Sequence, residues 1–142
     1  LSIYGEGELK EDLVRYAEQL GISEAVKFHG FSSEIHKIMA ESAIYVSSSD
    51  YEGISNSMLE ALAIGIPVVC TDCPVGGARM YIRDGRNGYL IPVGDADVMA
   101  DRMLALMEDK KLGESFSKES VKIREELTDD RIFGMWKALL VR

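Results

Sequence analysis

This 142-residue chain has few residues of the kinds that form disulfides or bind zinc, with two cysteines and two histidines. It also has no apolar run that approaches the length of about 18 residues needed to cross a bilayer. Basic residues are also in deficit, because 16 lysines and arginines against 24 aspartates and glutamates leave a net charge of −8. This charge argues against a nucleic-acid partner, since nucleic-acid binding draws on a basic surface. A nucleotide stays compatible with it, because helix amides can neutralise phosphates locally. We expect one soluble, cytoplasmic domain with a single core.

The two cysteines, Cys70 and Cys73, form a Cys-x-x-Cys pair. A zinc site would need two further ligands, but the histidines, His29 and His36, fall on a separate predicted strand and helix. A dithiol redox centre favours the start of a helix, whereas Pro74 follows this pair. We therefore interpret Cys70 as a small hydrophobic side chain packed at the end of a strand and Cys73 as a nearby loop residue, and we predict no metal site.

Strands and helices alternate along the first two thirds of the chain. Strands are predicted at residues 1–4, 26–29, 44–46, 67–71 and 89–92. Helices are predicted between them at residues 8–20, 34–41, 56–64 and 78–83, the second capped by Ser32 or Ser33. This alternation predicts an α/β fold, a Rossmann-like parallel sheet with helices on both faces.

Beyond Gly94 the pattern is helical only, which adds extra C-terminal helices to the predicted fold. The first carries apolar residues between positions 98 and 107, and a second is predicted at about 112–127. Asp129 or Asp130 is expected to cap a third helix, which Trp136 anchors to the domain.

The most informative stretch is residues 47–70, which read SSSDYEGISNSMLEALAIGIPVVC. A polar turn leads into a helix, and Glu52 and Glu60 flank the start of that helix. The residues between them cap a helix or let its first turn approach a ligand closely: Gly53, Ser55, Asn56 and Ser57. Free amides and the helix dipole favour an anion such as a phosphate there. Spacing alone leaves open whether the two carboxylates bind sugar hydroxyls or are solvated acids that complement the dipole.

These motifs also carry a family resemblance. The E-x7-E spacing of Glu52 and Glu60, the following GIPVV run and the DGRNG turn at residues 84–88 resemble the C-terminal domain of the group 1, family 4 retaining glycosyltransferases. The resemblance covers about residues 1–106. It implies one half of a GT-B fold, with residues 1–142 as a nucleotide-sugar-binding fragment that lacks the N-terminal acceptor domain.

The resemblance also implies a role for each site residue. Glu60 would hold the ribose of a nucleotide-diphosphate sugar. Glu52 would hold the transferred sugar and, as the catalytic residue, stabilise its positive charge. The diphosphate would meet the loop and helix start at Gly53, Ile54, Ser55, Asn56 and Ser57. On the nucleotide side, the resemblance adds Gly5, Gly7, Phe31 and Ser32, although a position in the core accounts for Phe31 equally well.

Two further glycines, Gly76 and Gly77, predict a loop that approaches another segment closely. Arg79 follows them, and the sequence leaves open whether it meets a phosphate or solvent.

The predicted activity is retaining transfer of a hexose from a nucleotide sugar to a glycan or lipid-linked acceptor, without a metal or other cofactor. A setting in polysaccharide biosynthesis, with peripheral contact of the full-length enzyme at the inner face of the plasma membrane, agrees with the family. The fragment alone is expected to bind donor weakly and not to turn over, because the family's basic diphosphate-binding pair lies upstream of it. The alternative is a non-catalytic nucleotide- or carbohydrate-binding α/β module. A sugar-nucleotide epimerase is disfavoured, because Lys10 stands where the dinucleotide fingerprint beginning at Gly5 needs its third glycine.

Overall fold

The computed structural model describes residues 1–141 and divides the chain into two compact units. The first unit, Leu1–Ile35, contains two short parallel strands, β1 (Ser2–Ile3) and β2 (Lys27–Phe28), joined by helix α1 (Lys10–Gln19). The backbone ladder extends past both strand ends, since Lys27 donates its amide to Leu1 and His29 donates its amide to Ile3. The predicted strands and helix are therefore present in this unit, with shorter bounds.

The second unit starts at His36, within helix α2 (Ile35–Ala40). Three parallel strands form its sheet in the order β3-β4-β5: β3 (Tyr45–Ser47), β4 (Val68–Thr71) and β5 (Gly88–Ile91). Two crossover helices connect them, α3 (Asn56–Ile64) and α4 (Gly77–Tyr81). Four further helices follow β5: α5 (Ala96–Glu108), α6 (Lys110–Ser120), α7 (Ile123–Glu126) and α8 (Asp129–Leu140). The predicted α/β fold with parallel strands is confirmed, with the strands distributed over two sheets.

Alternation of side chains along β4 gives the sheet of the second unit two apolar faces. Val69 packs with Ile91, Leu106 and Phe116 in a buried cluster to which α5 and α6 contribute. On the opposite face, α3 packs on β3 and β4 and buries Met58, Ala61 and Leu62. This double coverage explains why all four residues of β4 are buried.

Helix α3 has the bounds that its sequence signals predict. Ser55 is its N-cap, and Gly65 ends it in the left-handed conformation at φ 96°. The chain passes close to α6 there, since a β-carbon on Gly65 would lie 2.9 Å from Cγ1 of Val121. Both ends of the helix that carries the candidate site are thus fixed by local chemistry.

The C-terminal helices correct three predictions. Trp136 does not anchor α8 to the domain, because its side chain is 61% exposed and α8 has no buried residue. The helix predicted at 112–127 is two helices, α6 and α7, because the backbone changes to shorter-range hydrogen bonds between them: Lys122 donates its amide to Glu119, and Arg124 donates its amide to Val121. The N-cap of α8 is Thr128, whose hydroxyl accepts from the amide of Arg131 at 3.4 Å. Asp129 and Asp130 instead occupy the first turn, where their charge complements the helix dipole. None of the helices within residues 1–141 is long and apolar enough to span a membrane.

Candidate functional site

The candidate site is built on the loop after β3 and the first turn of α3. The Ser55 hydroxyl accepts a hydrogen bond from the amide of Met58 at 3.4 Å, and the Ser55 carbonyl accepts from the amide of Leu59 at 3.1 Å. Asn56 and Ser57 are exposed, and their amides have no acceptor among the described residues. These two N–H groups stand at the positive end of the helix dipole and can receive an anion.

A hydrogen-bonded row of hydroxyls supports this first turn. The Tyr45 hydroxyl lies 2.7 Å from Oγ of Ser57, and Ser57 Oγ lies 3.1 Å from Oγ of Ser55. Because Tyr45 belongs to β3, the row connects the sheet to the helix cap. The sequence predicts Tyr45 only as part of a strand and carries no signal for this contact.

Glu52 is anchored through its backbone. Its amide donates to Pro74 at 2.8 Å, and its carbonyl accepts from the amide of Val75 at 3.1 Å. The side chain is exposed, and no described residue forms an ion pair or hydrogen bond with its carboxylate. The Glu52 carboxylate is therefore held on a fixed backbone and stays open to a ligand.

The start of α4 packs directly on this loop. A β-carbon placed on Gly77 would lie 1.9 Å from the carbonyl oxygen of Gly53, so only glycine fits there. The close approach predicted for this segment is confirmed, and its partner is the loop that carries Glu52. Arg79, two residues further on, pairs with Asp72. The hydrogen bond to Asp72 holds the pKa of Arg79 above its usual value.

Glu60 lies on the second turn of α3 and is half-buried, with 42% of its side chain exposed. Its Oε2 atom lies 3.2 Å from Nε2 of His36 on α2. From the sequence, His36 enters only as a rejected metal ligand. The 24 positions between the two residues explain why no local spacing pointed to the contact.

Both cysteines are buried. The packing predicted for Cys70 is confirmed, and Cys73, predicted only as a loop residue, is buried as well. A small cavity lies between the two cysteines and the loop after β3. Its lining includes Ser47, Glu52, Gly53, Ser55, Cys70 and Cys73. Burial raises the pKa of the Cys70 thiol to about 12, against the lowering effect of a hydrogen bond with the Ser47 backbone. Within residues 1–141, no cluster of three or more histidine, cysteine, aspartate or glutamate side chains could hold a metal ion.

The remaining predicted residues lie in the first unit. Gly5 follows β1 at φ 123° and donates its amide to Gly30 at 3.3 Å. Gly5 and Gly7 line a cavity together with Tyr4 and His29, whose rings stack with centroids 4.5 Å apart. Gly5 and Gly7 thus lie in a concave region at the carboxyl ends of β1 and β2.

Phe31 and Ser32 follow β2. The Phe31 side chain is 85% exposed, so the alternative position in the core is wrong. The Ser32 hydroxyl accepts from the amide of Glu34 at 3.2 Å and so supports the turn before α2. The structure thus groups the predicted residues into two sets, one in each unit.

Comparison with known sequences decides the family. The model of the family "Glycosyl transferases group 1" matches residues 1–122. The chain belongs to this family. The resemblance recognised from the E-x7-E spacing and the DGRNG turn is therefore confirmed.

Individual relatives agree with this family. A glycosyltransferase of Campylobacter jejuni, N-acetylgalactosamine-N,N'-diacetylbacillosaminyl-diphospho-undecaprenol 4-alpha-N-acetylgalactosaminyltransferase, is 35% identical over 129 residues, which cover 91% of this chain and 35% of that protein. A mutant of Staphylococcus aureus TarM, solved with fondaparinux, alpha-GlcNAc-glycerol and UDP, superposes with a TM-score of 0.90 at 32% identity over 97% of this chain and 28% of that one. The pneumococcal O-GlcNAc transferase GtfA, solved with UDP and GlcNAc, superposes with a TM-score of 0.82 at 26% identity. This match covers 97% of this chain and 28% of that one.

The chain spans about a third, or less, of the length of these relatives. The solved ones are GT-B enzymes, which supports the predicted fold. Within the chain, the residues of the E-x7-E segment converge on the first turns of α3. His36 and Tyr45 join this segment through tertiary contacts.

Proposed function

We propose that this chain is the donor-binding part of a retaining glycosyltransferase, which transfers a hexose from a nucleotide-diphosphate sugar to a glycan or lipid-linked acceptor. One observation carries the proposal: the amides of Asn56 and Ser57 are open to an anion between two carboxylates, Glu52 and Glu60. A nucleotide sugar presents the same order of groups, with a diphosphate between two hydroxyl-bearing rings.

The helix start supplies the electrostatic part of catalysis. Breaking the bond between a sugar and a diphosphate places negative charge on the leaving group, and preorganised N–H donors stabilise that charge without reorganisation. The Asn56 and Ser57 amides are such donors, and the Tyr45–Ser57–Ser55 hydroxyl row holds their backbone. In this proposal, the amides stabilise the negative charge of the leaving diphosphate without a metal or other cofactor.

The two carboxylates take different roles. Glu60, in the second helical turn, accepts hydrogen bonds from the ribose, as the family resemblance implies. Glu52, with its open carboxylate, binds the transferred sugar and stabilises the positive charge that develops on its ring. This role is electrostatic, not nucleophilic. The nucleotide-side assignment of Gly5, Gly7, Phe31 and Ser32 stays a prediction.

The relatives suggest which ligands to test first. Both solved relatives cited above were crystallised with UDP, so UDP-sugars are the first donors to test. The Campylobacter jejuni relative is named for a diphospho-undecaprenol substrate, which supports testing a polyprenyl-diphosphate sugar as acceptor. Peripheral membrane contact of the intact enzyme would follow from such an acceptor.

The test is sugar transfer and UDP binding by the intact gene product with Glu52→Ala or Glu60→Ala, against Glu114→Ala, an exposed acid on α6. Loss of a hydrogen bond to a charged group weakens binding by about tenfold or more. We expect Glu60→Ala to weaken UDP binding by that factor. Glu52→Ala should abolish most transfer and leave UDP binding nearly unchanged. Transfer at the wild-type rate in both variants would refute the proposed donor site.

A further inference from the structure

The side chain of Ser57 forms hydrogen bonds to two other hydroxyls and is open to a ligand. Its Oγ atom lies 2.7 Å from the Tyr45 hydroxyl oxygen and 3.1 Å from Oγ of Ser55. Ser57 is exposed, so a ligand can reach this hydroxyl. In the proposed function, Ser57 contributes its backbone amide to the diphosphate, and its side chain has no assigned role.

The chemistry of the two partners determines where the Ser57 hydrogen can point. A phenol is a stronger acid than an aliphatic alcohol and therefore the stronger hydrogen-bond donor, so Tyr45 donates to Ser57 across 2.7 Å, the usual length of an O–H···O bond. Oγ of Ser55 accepts from the amide of Met58, and its own hydrogen can be donated to Ser57. A hydroxyl has two lone pairs and one hydrogen. With both lone pairs of Ser57 occupied, its hydrogen points away from Tyr45 and Ser55.

Tyr45 is held by the sheet and not by the site loop. It lies on β3, where its amide donates to the Pro67 carbonyl at 3.0 Å and its backbone pairs with Val68 of the buried strand β4. Its side chain is half-buried and has only two rotatable carbon–carbon bonds, so its hydroxyl has few alternative positions. The sheet thus fixes one partner of the Ser57 hydroxyl from outside the E-x7-E segment.

We propose that the Ser57 hydroxyl donates a hydrogen bond to the diphosphate of the donor, and that Tyr45 is the positioning residue that keeps this hydrogen free. The inference rests on the proposed function, in which the diphosphate binds at the start of α3. A hydrogen bond to a charged phosphate oxygen is stronger than one between neutral groups. The hydroxyl therefore strengthens binding of nucleoside diphosphates and has little effect on nucleosides, which carry no phosphate.

The test measures ligand binding to the intact gene product by isothermal titration calorimetry and, for weak ligands, by ligand-observed NMR. UDP, GDP and ADP are compared on the wild type, and the tightest binder and its nucleoside become the two probes. The variants are Ser57→Ala, Ser57→Thr, Tyr45→Phe and the double variant Tyr45→Phe/Ser57→Ala. Ser115→Ala on α6 and Tyr16→Phe on α1 are the matched controls, because both residues are exposed.

We expect Ser57→Ala to weaken binding of the diphosphate probe by about tenfold, the effect of one hydrogen bond to a charged group. Tyr45→Phe should weaken it by about threefold, because the Ser57 hydroxyl stays but loses its orientation. Binding of the nucleoside probe should change less than about twofold in both variants, as it lacks the phosphate acceptor. Ser57→Thr keeps the hydroxyl and should retain most of the affinity. Tyr45→Phe should have no further effect once Ser57→Ala is present, and both controls should match the wild type.

Ser55→Ala separates ligand binding from support of the helix. This variant removes the N-cap acceptor of the Met58 amide, so it should lower the urea midpoint of unfolding more than Ser57→Ala does. It leaves the Ser57 hydroxyl in place and should weaken the diphosphate probe less than Ser57→Ala does. A residue that only supported the first turn would show affinity losses in the same order as the stability losses.

Four results would contradict the inference in distinguishable ways. Equal weakening of both probes by Ser57→Ala would show a general structural role. Weakening by Ser57→Ala without any effect of Tyr45→Phe would remove Tyr45 as a positioning residue. No change in Ser57→Ala, while Glu60→Ala weakens the diphosphate probe, would remove the hydroxyl and leave the proposed function intact. No effect of Glu60→Ala, or no nucleotide binding by the wild type, would remove the proposed donor site and this inference with it.

Discussion

The backbone of Gly77 lies against that of Gly53, so closely that a β-carbon on Gly77 would stand 1.9 Å from the Gly53 carbonyl oxygen. This contact seats the first residue of α4 on the loop that presents Glu52. The hydrogen bonds of Glu52 with Pro74 and Val75 hold the same two segments together. The position of the Glu52 carboxylate thus depends on a residue 25 positions further along the chain.

Substitution of Gly77 by alanine should therefore displace the Glu52 loop. Backbone atoms surround the added methyl group and cannot move aside as a flexible side chain would. We expect sugar transfer to fall at least tenfold and the melting temperature to drop, as measured by transfer assay and circular dichroism. Gly134→Ala is the control, since nothing lies within 4 Å of its added β-carbon on α8. A Gly77→Ala protein with wild-type activity would show that the loop does not need this contact.

Removal of the Tyr45 hydroxyl should loosen the first turn of α3. Tyr45→Phe deletes the 2.7 Å hydrogen bond to Ser57 and should lower the free energy of unfolding by about 0.5–1.5 kcal/mol. Urea denaturation followed by fluorescence measures this change. Tyr16→Phe, at an exposed position on α1, should be neutral. Equal stability of the two variants would argue that solvent replaces the Tyr45 hydroxyl without cost.

The Cys70 thiol should be unreactive in the folded protein. Since burial raises its pKa to about 12, only about one molecule in ten thousand carries the thiolate at pH 8, and the thiolate is the reactive form. Iodoacetamide labelling followed by mass spectrometry should leave Cys70 unmodified in native buffer and label it in urea. Rapid labelling under native conditions would contradict the burial.

The same shift predicts a loss of stability at alkaline pH. Between about pH 9 and pH 12 the unfolded chain releases the Cys70 proton and the folded chain keeps it, so this thiol lowers the unfolding free energy by about 1.4 kcal/mol per pH unit. Below pH 9 the thiol is neutral in both states and has no such effect. Comparison of the pH dependence of unfolding in wild type and Cys70→Ala isolates this contribution, and parallel curves above pH 9 would contradict it.

Ser120 joins α6 to the turn before β5 and should be important for stability. Its side chain is fully buried, and its one hydroxyl hydrogen is shared between the Phe116 carbonyl of the same helix at 2.8 Å and the Asn87 carbonyl at 3.0 Å. Ser120→Ala leaves the buried Asn87 carbonyl without this donor and should cost about 1–3 kcal/mol in urea denaturation. Ser115→Ala, on the same helix but exposed, should change stability by less than about 0.5 kcal/mol. A neutral Ser120→Ala would show that the turn adjusts to the loss.

Local signals explain what the sequence predicted well. The bounds of α3 follow from a serine cap and a terminal glycine, both within one turn of the helix ends. Short apolar runs between the predicted helices likewise indicated buried parallel strands. The Gly76-Gly77 pair indicated a close approach, although its partner, Gly53, became known only from the structure.

Contacts between distant elements explain what the sequence could not predict. The Tyr45–Ser57 hydrogen bond joins a strand to a helix, and the His36–Glu60 contact joins two helices. Neither has a periodicity or a spacing of its own. The break between α6 and α7 and the cap at Thr128 were missed because several residues there suit a continuous helix or a cap equally well.

The most direct test of the donor site is a crystal structure of the intact gene product with a bound UDP-sugar. We expect diphosphate oxygens within about 3.2 Å of the Asn56 and Ser57 amides, with Glu60 on the ribose and Glu52 beside the transferred sugar. Diphosphate density away from the start of α3, or a ribose without contact to Glu60, would contradict the proposed donor site.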